Sequence, residues 1–161
     1  MRVDTTVFDG LDEMDALGPS EVFRSAQRLG ADIDTRLVTF SKAEKVRGAF
    51  GLRFRADAVY VLGEADVLVV VGGGWASRSD VGAWAEVQRG DWLPLIAGAA
   101  ETCRLIAGVC TGSLLLAHAG LLEGLRANTH HAVQEDLRAF GVTVVATPDP
   151  FPPIFKYSLE S

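Results

Sequence analysis

Cysteine is scarce in this chain: Cys103 and Cys110 are the only two, and seven positions separate them. One is expected inside a strand and the other at its end. That placement opposes a disulfide, and a reducing compartment would oppose it further. No apolar run approaches the ~20 residues that span a bilayer. The opening MRVDTTVFDGLDEMD has no apolar signal core followed by a cleavage site, so the expected location is the cytoplasm, with no membrane partner. Basic clusters are missing as well. Fifteen Lys and Arg against 21 Asp and Glu leave a net charge of −6, so nothing gathers to neutralise phosphates, and this chain alone is not expected to bind nucleic acid. Internal repeats, low-complexity tracts and linkers are lacking before residue 146.

Apolar residues are plentiful, 48% of 161, enough for one domain with a sheet covered on both faces. Runs at 5–8 (TTVF), 36–40 (RLVTF), 66–71 (DVLVVV), 104–109 (RLIAGV) and 142–146 (VTVVA) are continuous rather than alternating, as in strands buried on both sides. Helical patterns lie between them. Met14, Leu17, Val22, Ala26 and Leu29 share roughly one helical face, with Gly18-Pro19 interrupting the first turn and Gly30 ending the element. Asp80 is a candidate cap for VGAWAEVQR, and residues 111–119 form a short helix closed at Gly120. Thr129 is a candidate cap for HHAVQEDLRAF, where Val133, Leu137 and Phe140 recur at i, i+4, i+7. Residues 46–57 suggest a small hairpin. Strand alternating with helix predicts a doubly wound parallel α/β domain over 1–146. Residues 147–161 hold four of the six prolines and predict an irregular tail.

The sequence around Cys110, RLIAGVCTGSLLL, joins an expected strand to an expected helix, with Gly108 and Gly112 flanking the cysteine. A nucleophile at such a sharp turn needs small neighbours, and the helix N-terminus favours thiolate over thiol. A small buried hydrophobe is the alternative for Cys110, and the simpler reading for Cys103. In an open parallel sheet, ligands bind beyond the carboxyl ends of the strands, and each further candidate follows a strand end. Gly72, Gly73 and Gly74 could direct backbone N–H groups at a developing anion, or could simply form a flexible turn. Asp15, flanked by Met14 and Leu17, could stay protonated and act as a general acid, although Asp9, Asp12 and Glu13 make a solvated acidic face the plain alternative. Thr111 could contribute its hydroxyl and N–H, or only cap the helix. His130 and His131 are adjacent and point about 100° apart on a helix, so no metal site is expected. One of them could approach the pocket; the alternative is a surface or packing histidine. His118 is expected to pack, and Trp75 is the tryptophan close enough to the glycine loop to line a ligand site.

The segments FDGLDEMDALGPSEVF, VVVGGGW and IAGVCTGSLLLAHAGLLEGLRANTHH, in that order, resemble the ThiJ/PfpI superfamily over about residues 3–146. The resemblance implies a class I glutamine-amidotransferase-like, flavodoxin-type fold with no cofactor. Asp15 then matches the acidic partner, Cys110 the elbow cysteine, Gly73 and Gly74 the glycines of a P-G-G loop, and His130 the histidine of a T-H-W or T-H-P segment. Protease-like and deglycase-like members often carry histidine directly after the cysteine; Thr111 stands there instead. Cys-Thr-Gly together with this aspartate is more similar to isonitrile hydratase and to the sensor domains of AraC-type regulators. The first implies attack of Cys110 on a terminal isonitrile carbon, a proton from Asp15, and water completing an N-substituted formamide. The second implies a small-molecule or redox sensor without turnover, and glyoxalase or deglycase action is a third possibility. Three departures stand out: Gly72 in place of proline, expected to loosen the loop; His131 in place of tryptophan; and a proline-rich tail where members continue past 142–146 with further strand and helix. The last would uncover apolar sheet, which implies dependence on a homodimer partner, marginal stability, or a truncated product without activity.

Overall fold

In a computed structural model the structure describes residues 1–42 and 45–145. The expected tail at 147–161 lies outside the described residues. Fourteen helices and strands follow in chain order: β1 (Arg2–Thr6), α1 (Glu13–Arg28), β2 (Asp34–Thr39), β3 (Lys45–Arg47), β4 (Arg53–Arg55), β5 (Ala58–Val59), β6 (Val67–Val70), α2 (Ala83–Arg89), α3 (Leu93–Thr102), β7 (Leu105–Gly108), α4 (Gly112–His118), β8 (Arg126–Ala127), α5 (Gln134–Arg138) and β9 (Thr143–Val144). The central sheet has the order β5-β2-β1-β6-β7, and every pairing in it is parallel. This is the expected α/β class.

The two faces of β6 explain why its run is continuously apolar. Val67 and Val69 join Val3 on one face, with Phe23 of α1 packed against them. Leu68 and Val70 face the larger core, which includes Ile96 of α3 and Leu114 and Leu115 of α4. β1 is less apolar, and its polar residues have a partner across the register. Asp4 is fully buried and accepts two hydrogen bonds from Arg36 of β2, at 2.9 and 2.7 Å, directly opposite it. A two-pronged guanidinium is what lets a carboxylate sit inside a sheet.

Several local expectations are corrected. The expected strand at 142–146 is not part of the central sheet; β9 pairs with β8 in a separate two-stranded parallel piece, and β5 takes the outer position beside β2. The expected inner face of α1 is its outer face: Met14 is 72% and Leu29 89% exposed, whereas Glu13, Ala16 and Ser20 are buried. Ala16 and Ser20 are small enough for a close approach, Phe23 packs on the sheet, and Glu13 is buried through hydrogen bonds to the hairpin, so burial there does not follow apolarity. Pro19 does not interrupt α1, which runs unbroken for 16 residues, capped by the Asp12 side chain. It withdraws only the N–H that would have met the Asp15 carbonyl. α2 is entered through Gly82 at φ 101°, without an Asp80 cap. Residues 131–133 form a 3-10 turn leading into α5, and His130 rather than Thr129 caps it. The hairpin expected at 46–57 is the antiparallel pair β3–β4. Helix α3, begun by Pro94 in its first turn, had no expectation attached to it.

Candidate active site

At the carboxyl end of β7 the chain turns sharply into α4, and Cys110 occupies the turn with φ 54°, one of two non-glycine residues with positive φ among the described residues. That conformation is costly for a side-chain-bearing residue and persists only where the surroundings enforce it. The flanking glycines show how tightly the turn is packed. A Cβ on Gly108 would stand 2.9 Å from the Ser113 nitrogen, and one on Gly112 would collide with the Val70 carbonyl oxygen. The G-x-C-x-G spacing thus records two steric requirements of one elbow.

The Asp15 carboxyl, from the first turn of α1, meets the half-buried sulfur and accepts a hydrogen bond from the thiol. It also accepts the Gly72 N–H at 3.1 Å. Burial, then the charge of Asp12, raise its pKa to about 6, while the Gly72 and Cys110 hydrogen bonds oppose the rise. The expectation of an activated thiolate is corrected: burial, then the Asp15 charge, push the Cys110 thiol up to about 12, outweighing a hydrogen bond from the Thr111 N–H. At neutral pH the proton rests on sulfur and Asp15 is mainly the carboxylate that receives it.

Thr111 is 4% exposed, and its hydroxyl accepts the Gly73 N–H at 2.9 Å. The Gly73 N–H is therefore committed to Thr111, while the Thr111 N–H is the one directed at sulfur. The glycine loop is firmly packed rather than loose. A Cβ on Gly72 would collide with Thr111, one on Gly73 with the backbone of Asp12, and one on Gly74 would lie 2.6 Å from the Val81 carbonyl oxygen. Gly72 in place of proline keeps an N–H available, and that N–H serves Asp15.

Trp75 is 2% exposed, edge-on to Trp84 and tilted against His118. Its Nε1 donates to Asp136 at 2.6 Å, and Arg78 reaches the same carboxylate at 2.8 Å. Trp75 thus supports the loop from behind instead of lining open space. His118 packs as expected between Trp75 and Phe140, and burial lowers its pKa. His130 is exposed; its Nδ1 accepts the Ala132 N–H at 3.3 Å, and its ring lies against that of His131. From the same segment it is Thr129 that touches the elbow, donating to the Cys110 carbonyl at 3.1 Å. Thr129, Ser113 and Asp136 were not found as site residues from sequence. Their signals were faint: a threonine before the histidine pair, a serine three places after the cysteine, and an aspartate within the expected helix HHAVQEDLRAF. Two clefts of about 450 and 490 Å³, one beside β2 and β5 and one around Trp92, are lined by neither Cys110 nor Asp15.

A parallel α/β sheet with a strained cysteine at a strand-to-helix turn, facing a carboxyl group from the first helix, defines a flavodoxin-like protein with a nucleophile elbow. The chain belongs to the DJ-1/PfpI family, whose model matches residues 1–151. It is 40% identical over 134 residues to an uncharacterized protein from the cpoL 5′ region of Streptomyces lividans, a match covering 80% of this chain and 86% of that one. It is 31% identical over 149 residues to the isonitrile hydratase of Pseudomonas putida, covering 90% of this chain and 59% of that enzyme. Among solved structures, a ThiJ/PfpI family protein from Pseudomonas syringae superposes with a TM-score of 0.74 at 27% identity, over 88% of this chain and 55% of the other. Schizosaccharomyces pombe DJ-1 gives 0.73 at 20% identity, over 98% and 83%, a likeness of fold. Among the described residues, no helix is long and apolar enough to cross a membrane.

Proposed function

We propose that the protein is a cysteine-dependent hydratase of a small electrophilic carbon compound, with an isonitrile as the substrate class. The observation carrying this reading is the Cys110–Asp15 pair: a strained, half-buried thiol hydrogen-bonded to a carboxyl with a pKa of about 6, with threonine instead of histidine following the cysteine. The thiol proton passes to Asp15 and from Asp15 to the terminal isonitrile carbon as sulfur bonds that carbon, giving a thioimidate. Water then adds to the thioimidate carbon, the C–S bond breaks, sulfur regains a proton, and an N-substituted formamide leaves. A carboxyl poised near neutrality suits both receiving and delivering the proton. A redox sensor is less well supported, because a thiol held this far toward its protonated form reacts slowly with oxidants.

The test is formamide production from a panel of small isonitriles, with methylglyoxal as the competing substrate, by the protein and its Cys110→Ala variant. Isonitrile turnover lost in the variant is expected. Turnover that survives the substitution overturns the mechanism, and lactate from methylglyoxal without formamide favours a glyoxalase. No turnover at all, with peroxide oxidising Cys110, favours the sensor.

The reading includes a homodimer. Glu13 accepts the backbone N–H groups of Phe50 and Leu52, at 2.8 and 3.2 Å, and so seats the β3–β4 hairpin tip against the start of α1. Phe50, 85% exposed, Leu52, Met14 and Leu17 then form an uncovered apolar face next to Asp15, which a second copy would cover.

A further inference from the structure

The Cys110 carbonyl oxygen receives two hydroxyl donors. Ser113, the second residue of α4 and 1% exposed, donates at 3.0 Å; Thr129, nineteen residues after the cysteine, donates at 3.1 Å. A carbonyl has two lone pairs, and both are filled here by side chains rather than by helical N–H groups. This oxygen belongs to the same rigid peptide unit as the Thr111 N–H, and in a trans peptide the two point in opposite directions. Fixing the oxygen therefore fixes the opposite direction of the Thr111 N–H, the donor whose hydrogen bond favours the Cys110 thiolate. Cys110 sits in a backbone region that is costly for an L-residue, so these two bonds add to the close packing that holds the turn. Thr129 is itself held in place. Its own N–H donates to the Asn128 side-chain oxygen at 2.8 Å, and Gln134 of α5 donates to that same oxygen at 3.0 Å.

We propose that Thr129, acting together with Ser113, is a positioning residue that fixes the Cys110–Thr111 peptide plane so that the Thr111 N–H faces the nucleophilic sulfur. The proposal rests on the reading of Cys110 as nucleophile but needs no particular substrate. Without the clamp the peptide can rotate, the N–H leaves the sulfur, and the thiolate loses its nearest donor. The segment from β8 to α5 thereby becomes part of the catalytic apparatus, although none of its residues touches the reacting atoms.

The experiment measures the rate at which iodoacetamide alkylates Cys110 from pH 6 to 10 in the full chain, with Cys103→Ala as background so that one thiol reports. In Thr129→Val, which keeps the shape and removes the hydroxyl, the rate at pH 7 is expected to fall by about threefold to tenfold, with the profile displaced to higher pH. This range combines about one unit of pKa with the partial compensation by higher intrinsic nucleophilicity. Thr129→Ser, which restores the donor, should recover the rate. A wild-type profile in Thr129→Val overturns the proposal, as does a slow Thr129→Ser. If Thr129→Val does not fold, Ser113→Ala removes the other donor and decides by the same readout: a displaced profile supports the clamp, and an unchanged one overturns it. Absence of isonitrile turnover in the wild type would overturn the hydratase reading and leave these alkylation results standing.

Discussion

At the scale of single residues, the chemistry depends on where Asp15 keeps its proton. The folded carboxyl has a pKa of about 6, above its ordinary value of 3.8, so the native state binds protons that the unfolded state has released between those values. The contribution of Asp15 to stability is accordingly undiminished below pH 3.8, falls as pH rises toward 6, and stays reduced above it. Asp15→Asn removes the buried charge. It should raise the melting temperature at pH 8 by about 5 °C, corresponding to on the order of 1–3 kcal/mol, with the difference vanishing near pH 4. It should also speed alkylation of Cys110 at pH 8, since the Asp15 charge is one cause of the raised thiol pKa, while abolishing turnover. Slower alkylation would contradict the assigned electrostatics. Of this pair, the identities and the upward shift of Asp15 were legible in sequence, and the protonated state of Cys110 was not. Glycine spacing marks an elbow, and Asp15 follows the first strand, but the position of the proton is set by burial, which spacing does not report.

At the scale of elements, the elbow works because α4 packs directly against the end of β6. Gly112→Ala would drive a Cβ into the Val70 carbonyl and force the helix off the sheet. The expected cost is about 3 kcal/mol and a melting temperature lower by roughly 10 °C. Gly120→Ala makes the instructive contrast. Its φ is 80° but a Cβ there meets open space, so only backbone strain remains, about 1 kcal/mol. Equal losses in thermal melts of the two variants would contradict the packing account. The alternation of β1, α1, β2, β6, β7 and α4 was legible, helped by β6 and β7 being apolar on both faces, while α3 and the outer strand β5 were not. The inner face of α1 was not, because its contact residues are Glu13, Ala16 and Ser20. Glu13 is buried through hydrogen bonds to a hairpin 37 residues away, and no helical periodicity encodes that partner.

At the scale of the whole molecule, the apolar face of Met14, Leu17, Phe50 and Leu52 governs the expected assembly. Phe50→Glu, at a position 85% exposed, should leave the melting temperature of the isolated chain nearly unchanged and convert a dimer to monomer in sedimentation. A wild type that sediments as a monomer at micromolar concentration would remove the dimer from the reading. The family frame was legible from three sequence segments, and so was an apolar strand around β9, while β8 and its pairing with β9 outside the central sheet were not, since a two-residue strand carries too little pattern to recognise.

The residues around the sulfur come from four well-separated stretches of chain, at 15, 72, 110 and 129, and no two of them are neighbours in sequence. Each must be delivered by closing a long loop, and in a wholly parallel sheet no short turn can do it. Chemical competence is therefore a property of the closed fold: the crossovers that align the parallel strands are the same ones that bring these four stretches to the sulfur.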